Sequence, residues 1–388
     1  MPLKTNTLLV KATLLLSSSL TVMAGATIAP SLPAMRDYFA TMPNADYWVR
    51  LVLTVPALFI AISAPFVGTM IDRFGRKPLL AFAVLLYGVA GTSGAVLNNI
   101  GLILVGRVLL GLSVAGIMTT ATALIADYYT GAARAQFLGF QAGFMGLGGV
   151  LFLSLGGFLA DINWRMPFLI YLLALLILPL VVLVLPEPNR TEAAQNLRAD
   201  ATEAFPWQIA GLTYLAALLS QIVFYLIPVQ LPFYLKQLVN ATASQSGLAI
   251  ALATLFSAAS AIAYKQIKAR LSFMGIYAIA FLSMAVGYLV IGFSPDYIMV
   301  LVGLAIAGAG LGLLMPNMNV CLTSVTPVSL RGRVLGGLTT AFFLGQFVSP
   351  FLSQPLSSVV GLGVTYGLAG GLMAAMGAIA LALGWRWQ

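Results

Sequence analysis

Residues 68–77 read Gly68-Thr69-Met70-Ile71-Asp72-Arg73-Phe74-Gly75-Arg76-Lys77, GTMIDRFGRK in one-letter code. Four charged side chains stand within six residues, in a chain where only 7% of residues are charged. Long apolar runs lie on both sides, so the polarity is concentrated where the chain turns between them. Gly68 permits close helix approach, Gly75 permits the tight turn, and Pro78 suits the first turn of the following helix. Arg73, Arg76 and Lys77 would hold the turn on the cytoplasmic side of a membrane, and Asp72 can face a helix N-terminus. A basic turn alone would account for the three cations. It does not account for the spaced glycines and the single acid.

The rest of the chain explains the setting. Of its 388 residues 61% are hydrophobic, and its mean hydropathy is +1.01. That leaves too little charge to cover a soluble protein of this size. Apolar runs of about 20 residues following one another read as membrane-spanning helices, because lipid offers backbone groups no partner outside the helix. The single cysteine, Cys321, excludes an internal disulfide. There is no His and no Cys cluster to hold a metal, and no nucleophile–base set or nucleotide-binding loop to support an enzyme or an ATP-driven pump. No cofactor is expected. The net charge of +9 is spread over short loops, which argues against nucleic-acid binding.

Spans are predicted at 8–34, 47–70, 78–97, 100–126, 134–159, 165–185, 207–235, 245–264, 272–293, 297–320, 333–355 and 361–385. Lys4, Lys11, an apolar core and Ala24-Gly25-Ala26 have the form of a signal peptide, but the apolar stretch continues to Leu32 and reads as a first span. Twelve spans put both termini on one side. Of 19 basic residues, only Arg36, Arg50, Arg165 and Lys236 fall on the opposite side and Arg107 within a span. The remainder mark the side of the termini as cytoplasmic. Domain boundaries follow: a first six-helix bundle at 1–186, a cytoplasmic linker at 187–206 and a second bundle at 207–388. An offset of 197 residues superposes Gly111 on Gly308, Arg134 on Arg331, Gly139 on Gly336 and Gly148 on Gly345, as a duplicated six-helix unit would.

GTMIDRFGRK resembles the signature loop of the major facilitator superfamily, G-x-x-x-D-R-x-G-R-K, at every specified position. The resemblance covers essentially the whole chain. It implies an all-α membrane protein: twelve transmembrane helices in two pseudo-symmetric six-helix bundles, with the substrate between them near the midplane. It also implies a latch that locks the bundles together on the cytoplasmic side, the Asp meeting the start of span eleven and an Arg pairing with an acid at the end of span four. Gly68, Asp72, Arg73, Gly75 and Arg76 match that loop, and Asp127 supplies the acid. Gly106-Arg107-Val108-Leu109-Leu110-Gly111 is similar to the R-x-x-x-G motif of the drug–proton antiporters, with Leu110 in place of the usual Gln. GGVLFLSLGGFLAD, residues 148–161, is similar to the antiporter motif G-x-x-x-G-P-x-x-G-G. There Gly148, Gly156 and Gly157 match, and Phe152 and Leu153 stand where Gly-Pro is expected.

Arg107 is the one charge well inside a span, about 9 Å from the outer end at the helical rise. Either it snorkels to the outer headgroups, or it serves as a switch or anion contact facing the cavity. None of the ten acids falls at midplane. Asp37 and Asp46, flanking the first outer loop, are the nearest candidates to titrate against Arg107, unless they are simply solvated loop residues. Candidate substrate contacts are Thr21, Met23, Gln221, Tyr225, Phe342 and Gln346. Gln221 and Tyr225 lie one turn apart on one face. Such polar groups can equally bond neighbouring helices. An apolar and aromatic pocket with scattered amides suits an amphipathic organic solute, and Arg107 in the cavity would favour neutral or anionic ones. The expected protein is a monomeric secondary transporter of the bacterial inner membrane, with the lipid bilayer, a small-molecule substrate and protons as its partners. It would export drugs or metabolites in exchange for protons. The alternatives are export of a carboxylate-bearing metabolite such as a siderophore, and an uncoupled facilitator.

Overall fold

A computed structural model describes residues 7–188, 205–327 and 330–386; within these, the side chains of Ala26, Pro65, Asp72, Ala135 and 384–386 are not described. The described residues form helices and no strand. Twelve of the helical segments are long and apolar enough to cross a membrane, each within a few residues of its predicted span. In chain order the α-helices are α1 (Leu8–Ala26), α2 (Leu32–Tyr38), α3 (Ala45–Phe74), α4 (Arg76–Val96), α5 (Ile100–Tyr128), α6 (Gly131–Ile162) and α7 (Leu173–Val184). They continue as α8 (Trp207–Phe224), α9 (Leu226–Val239), α10 (Ala243–Lys268), α11 (Phe273–Gly292), α12 (Tyr297–Val325), α13 (Arg331–Val360) and α14 (Leu362–Arg386). Most of the segment expected as a linker, 189–204, lies outside the described residues.

Three spans are not the continuous helices the sequence pattern predicts. The first runs as α1, a 3-10 turn at Ala29–Ser31, then α2. The sixth opens with a 3-10 segment, Met166–Leu172, before α7. The seventh breaks at Tyr225 between α8 and α9. Proline explains the breaks. Pro30, Pro33, Pro167 and Pro228 each remove an amide that a continuous helix would need.

A broken helix in lipid leaves carbonyls without amide partners. Here side-chain hydroxyls bond carbonyls on either side of the breaks, Leu20 O and Leu226 O lying just inside α1 and α9. At the end of α1, Thr27 Oγ1 donates to Met23 O at 2.7 Å and Tyr171 Oη donates to Ala24 O at 3.1 Å, while Tyr87 Oη donates to Leu20 O at 2.7 Å. Around the break at Tyr225, Ser349 Oγ donates to Ile222 O, Tyr288 Oη to Val223 O and Tyr366 Oη to Leu226 O, at 2.8, 2.8 and 3.0 Å. The tyrosines come as matched pairs. The Tyr87 and Tyr171 rings lie 5.5 Å apart and the Tyr288 and Tyr366 rings 5.9 Å apart.

The repeat is also visible in backbone contacts. A Cβ at Gly111 of α5 would lie 2.5 Å from Pro56 O of α3, and one at Gly308 of α12 would lie 2.3 Å from Ala253 O of α10. Both glycines and both partners are separated by the same 197 residues. Further contacts join α3 to α13 and α6 to α10, so the first six spans meet the last six along two helix pairs.

Gly111→Val and Gly308→Val should each cost more than about 1–3 kcal/mol, because a backbone carbonyl cannot move aside as a side chain can. Gly139→Ala, where a Cβ meets nothing within 4 Å, should instead gain up to about 1 kcal/mol of helix propensity. Thermal unfolding of the purified variants checks the contrast; equal melting temperatures would refute it.

Candidate functional site

The signature stretch is tighter than a loop. α3 continues to Phe74, and Gly75 alone, at φ +93°, joins it to α4. A side chain at that φ would be strained, so the turn requires glycine. Arg76 Nε donates to Asp127 Oδ2 at 2.6 Å, tying the start of α4 to the end of α5. The Arg73 guanidinium lies over the adjacent Phe74 ring, 5.4 Å from its centroid. The Asp72 side chain is outside the described ones. The sequence reading missed a third acid. The Glu187 carboxylate accepts the backbone amides of Arg76 at 2.8 Å and Lys77 at 2.7 Å, at the N-terminus of α4 where the helix dipole favours an anion. Tyr128 Oη donates to the neighbouring Pro186 carbonyl. The signal was available: Glu187 stands between Pro186 and Pro188 directly after the sixth span.

At this end the glycines of α3 and α13 make no close contact across the seam. A Cβ at Gly68, Gly332 or Gly336 would meet nothing within 4 Å. Gly68 therefore makes no close helix contact in this conformation, contrary to the close approach expected for it.

The opposite end is closed. Lys236 Nζ of α9 donates to Asp37 Oδ2 of α2 at 2.8 Å. Arg50 Nε of α3 donates to Gln230 Oε1 of α9 at 3.0 Å. Asp161, at the end of α6, accepts the backbone amides of Ala243 and Ser244 at 2.7 and 3.2 Å, capping α10 from across the seam. Behind that cap the backbones touch: a Cβ at Gly157 would lie 2.8 Å from Ala243 O, and one at Gly247 would lie 2.7 Å from Leu153 O. Gly156 packs as closely within the first set, 2.1 Å from Thr27 O on the same measure. Gly148 does not require glycine, since a Cβ there meets Ser19 Cβ at an ordinary 3.5 Å.

Arg107 takes neither expected position. It is wholly buried (0% exposed) inside the first set, so it does not snorkel. Its Nη1 donates to Tyr171 Oη at 3.0 Å, and its guanidinium lies 4.5 Å from the Phe168 ring centroid and 5.0 Å from that of Tyr171. Its Nε and Nη2 have no partner among the described residues. Asp37 and Asp46 are not its partners. Asp37 is bonded to Lys236 and Arg36, and Asp46 to Arg36 and Arg50. These acids sit at the mouth of the far end, where basic residues are within reach, and Arg107 is held deeper by the span-six aromatics. The preference for neutral or anionic solutes drawn from Arg107 loses its basis.

The predicted substrate contacts divide. Gln346 Nε2 of α13 donates to Gln221 Oε1 of α8 at 3.2 Å, so those two amides meet. Tyr225 follows one turn later, its hydroxyl 3.1 Å from where a Cβ on Gly25 of α1 would stand, and so reaches the first set. Thr21 Oγ1 donates to Ser18 O within its own helix. Phe342 is half-buried and packs edge-on against Phe343. Met23 is wholly buried and cannot line a wall in this conformation.

The family model described as "Major Facilitator Superfamily" matches residues 14–271 and again 213–388. The chain belongs to the major facilitator superfamily. It is thus a multi-pass membrane transporter that binds small-molecule substrates, and not an enzyme. The quinolone resistance protein NorA of Staphylococcus aureus (strain COL) is 24% identical over 334 residues, covering 84% of this chain and 85% of its own. Multidrug resistance protein 1 of Bacillus subtilis (strain 168) is 33% identical over 142 residues, 36% of each chain. Among solved structures, a D-xylose–proton symporter superposes with a TM-score of 0.82 at 19% identity over 97% of both chains. The human organic anion transporter MFSD10 (TETRAN) superposes with a TM-score of 0.69 at 19% identity, over 96% of this chain and 99% of its own. At such identities the superpositions establish the fold alone.

Tyr171→Phe removes both the acceptor of Arg107 and the donor to Ala24, and should cost about 2 kcal/mol or more. Tyr366→Phe removes one bond with no cation behind it and should cost about 1 kcal/mol. Arg107→Lys should resemble the former, since an ammonium cannot stack and bond as the planar fork does. Equal melting temperatures for the two Tyr→Phe variants would show that Arg107 does not depend on Tyr171.

Proposed function

We propose that the chain exports amphipathic organic molecules, drugs or metabolites, by alternating access in exchange for protons. The observation that carries this reading is the polar closure of one end of the seam opposite open glycine faces at the other, the asymmetry that alternating access requires. NorA and the Bacillus multidrug resistance protein, by their names, support drugs as the solute class. The basic residues support a cytoplasmic location for the signature-loop end and both termini, in a bacterial plasma membrane. On that orientation the described conformation faces inward. The bundles would be 1–186 and 207–388, joined by 187–206 and rocking as units in a monomer.

The signature loop would engage when the cytoplasmic end closes. Asp72 would then meet the start of α13, while Arg76, Asp127 and Glu187 keep the turn between α3 and α4 in shape. Gln221, Tyr225 and Gln346 are the polar groups we assign to the solute, with Phe342 as apolar wall. An uncoupled facilitator is the second reading, and one observation favours it: the acids among the described residues all lie towards the ends of spans or beyond them.

Purified protein in proteoliposomes, loaded with a fluorescent quinolone, distinguishes the two. Under exchange for protons, an imposed pH gradient should raise the release rate several-fold. Saturable flux indifferent to the gradient makes it a facilitator, and no saturable flux would remove quinolone-like drugs as substrates. Orientation is checked separately by a cysteine at residue 195, which an impermeant reagent should fail to label on intact cells.

A further inference from the structure

The far-end seam contains one junction unlike its neighbours. Asp37 and Lys236 are each about half exposed, and the carboxylate of Asp161 is also open to water. Arg50 and Gln230 are buried, at 3% and 0% exposure. Gln230 spends both ends of its amide on other helices. Its Oε1 accepts from Arg50 of the first set, and its Nε2 donates to Ser353 Oγ at 3.1 Å and Gln354 Oε1 at 3.3 Å on α13. The face of Phe233, also on α9, lies 4.0 Å from the Arg50 guanidinium carbon. On its own helix Arg50 Nη1 donates to the backbone oxygen of Asp46 at 2.7 Å and to its Oδ1 at 3.2 Å.

We propose that Arg50 and Gln230 form the keystone of the outer gate, a cation seated in the opposite bundle whose release is required for the transporter to open outward. The assignment of this end as outer rests on the orientation proposed above; the gating role does not depend on the solute or on proton coupling. The reason is desolvation. A buried charge costs more the fewer of its donors are matched, and Gln230 and Phe233 match the part of Arg50 that Asp46 leaves uncovered. Separation of the bundles removes both at once, and water must replace them. An open cleft of about 460 Å³ lined by Arg50, Phe233 and Gln354 adjoins the junction, so that water is at hand. The exposed pair Asp37–Lys236 contributes much less, since solvent screens it in the closed state already.

Two near-isosteric substitutions should act in opposite directions. Gln230→Leu leaves Arg50 Nε unpaired in the closed state, and should raise the open-to-closed ratio at this end about tenfold, the scale of one lost charge-assisted hydrogen bond. Gln230→Glu presents a full anion to Arg50, and should lower that ratio. Lys236→Ala should move it by no more than about fivefold. The ratio is read by electron–electron distance measurement between spin labels at Thr41 and Val239 in lipid nanodiscs, with the native Cys321 replaced by Ser. No solute is added, so failure of the export reading leaves the result intact. Opposite shifts for the two Gln230 variants support the keystone. Gln230 variants that both match wild type, or shift in one direction together, or a Lys236→Ala shift exceeding that of Gln230→Leu, would overturn it.

Discussion

The bilayer offers a backbone carbonyl nothing to bond with, yet the first and seventh spans both break within it. The structure depends on how the backbone on either side of those breaks is held. Hydroxyls of Tyr87, Tyr171 and Thr27 serve the end of α1, and those of Tyr288, Tyr366 and Ser349 serve the region around Tyr225. Because these side chains reach in from α4 and the span-six segment, and from α11, α13 and α14, the first break is bonded by two other spans of its own set and the second by three. Tyr225, next to one of them, lies with its hydroxyl against Gly25 of α1.

Arg107 breaks this symmetry. The 197-residue offset carries it to Leu304, a buried aliphatic. Among the described residues, only the first set places a cation behind its tyrosine pair. Tyr171 consequently both accepts from Arg107 and donates to Ala24, a two-bond chain that Tyr366 lacks. A charge so deep, with two nitrogens that find no partner among the described residues, is expensive, and such charges in membranes are usually retained for function.

The membrane fold was legible from hydropathy, because spans of about 20 apolar residues have few alternatives in lipid. The duplication was legible from Gly111 and Gly308, although the reason, contact with carbonyls at the matching offset, appears only in three dimensions. The turn at Gly75 was also readable, since charge and glycine coincide there. The partners of the candidate site residues were not. Nothing in the local pattern around Arg107 indicates that Tyr171 and Phe168, some 60 residues away, will enclose it. Gln230 gave no signal either, being one amide in an apolar run whose meaning depends on Arg50 arriving from another helix. Glu187 was misjudged because linker acids are usually solvated, and here the proline on each side restricts the chain beside the α4 terminus.

The cap that Asp161 places on α10 has an evolutionary consequence. Its acceptors are side-chain atoms on the first bundle, but its donors are the main-chain amides of Ala243 and Ser244. Nearly any replacement at those two positions preserves the donors, proline excepted. One face of this contact therefore has no hydrogen-bonding side chain to lose, and the carboxylate of Asp161 carries the polar specificity alone. What limits those two positions is space, since the backbone of Ala243 and Ser244 lies against Gly157.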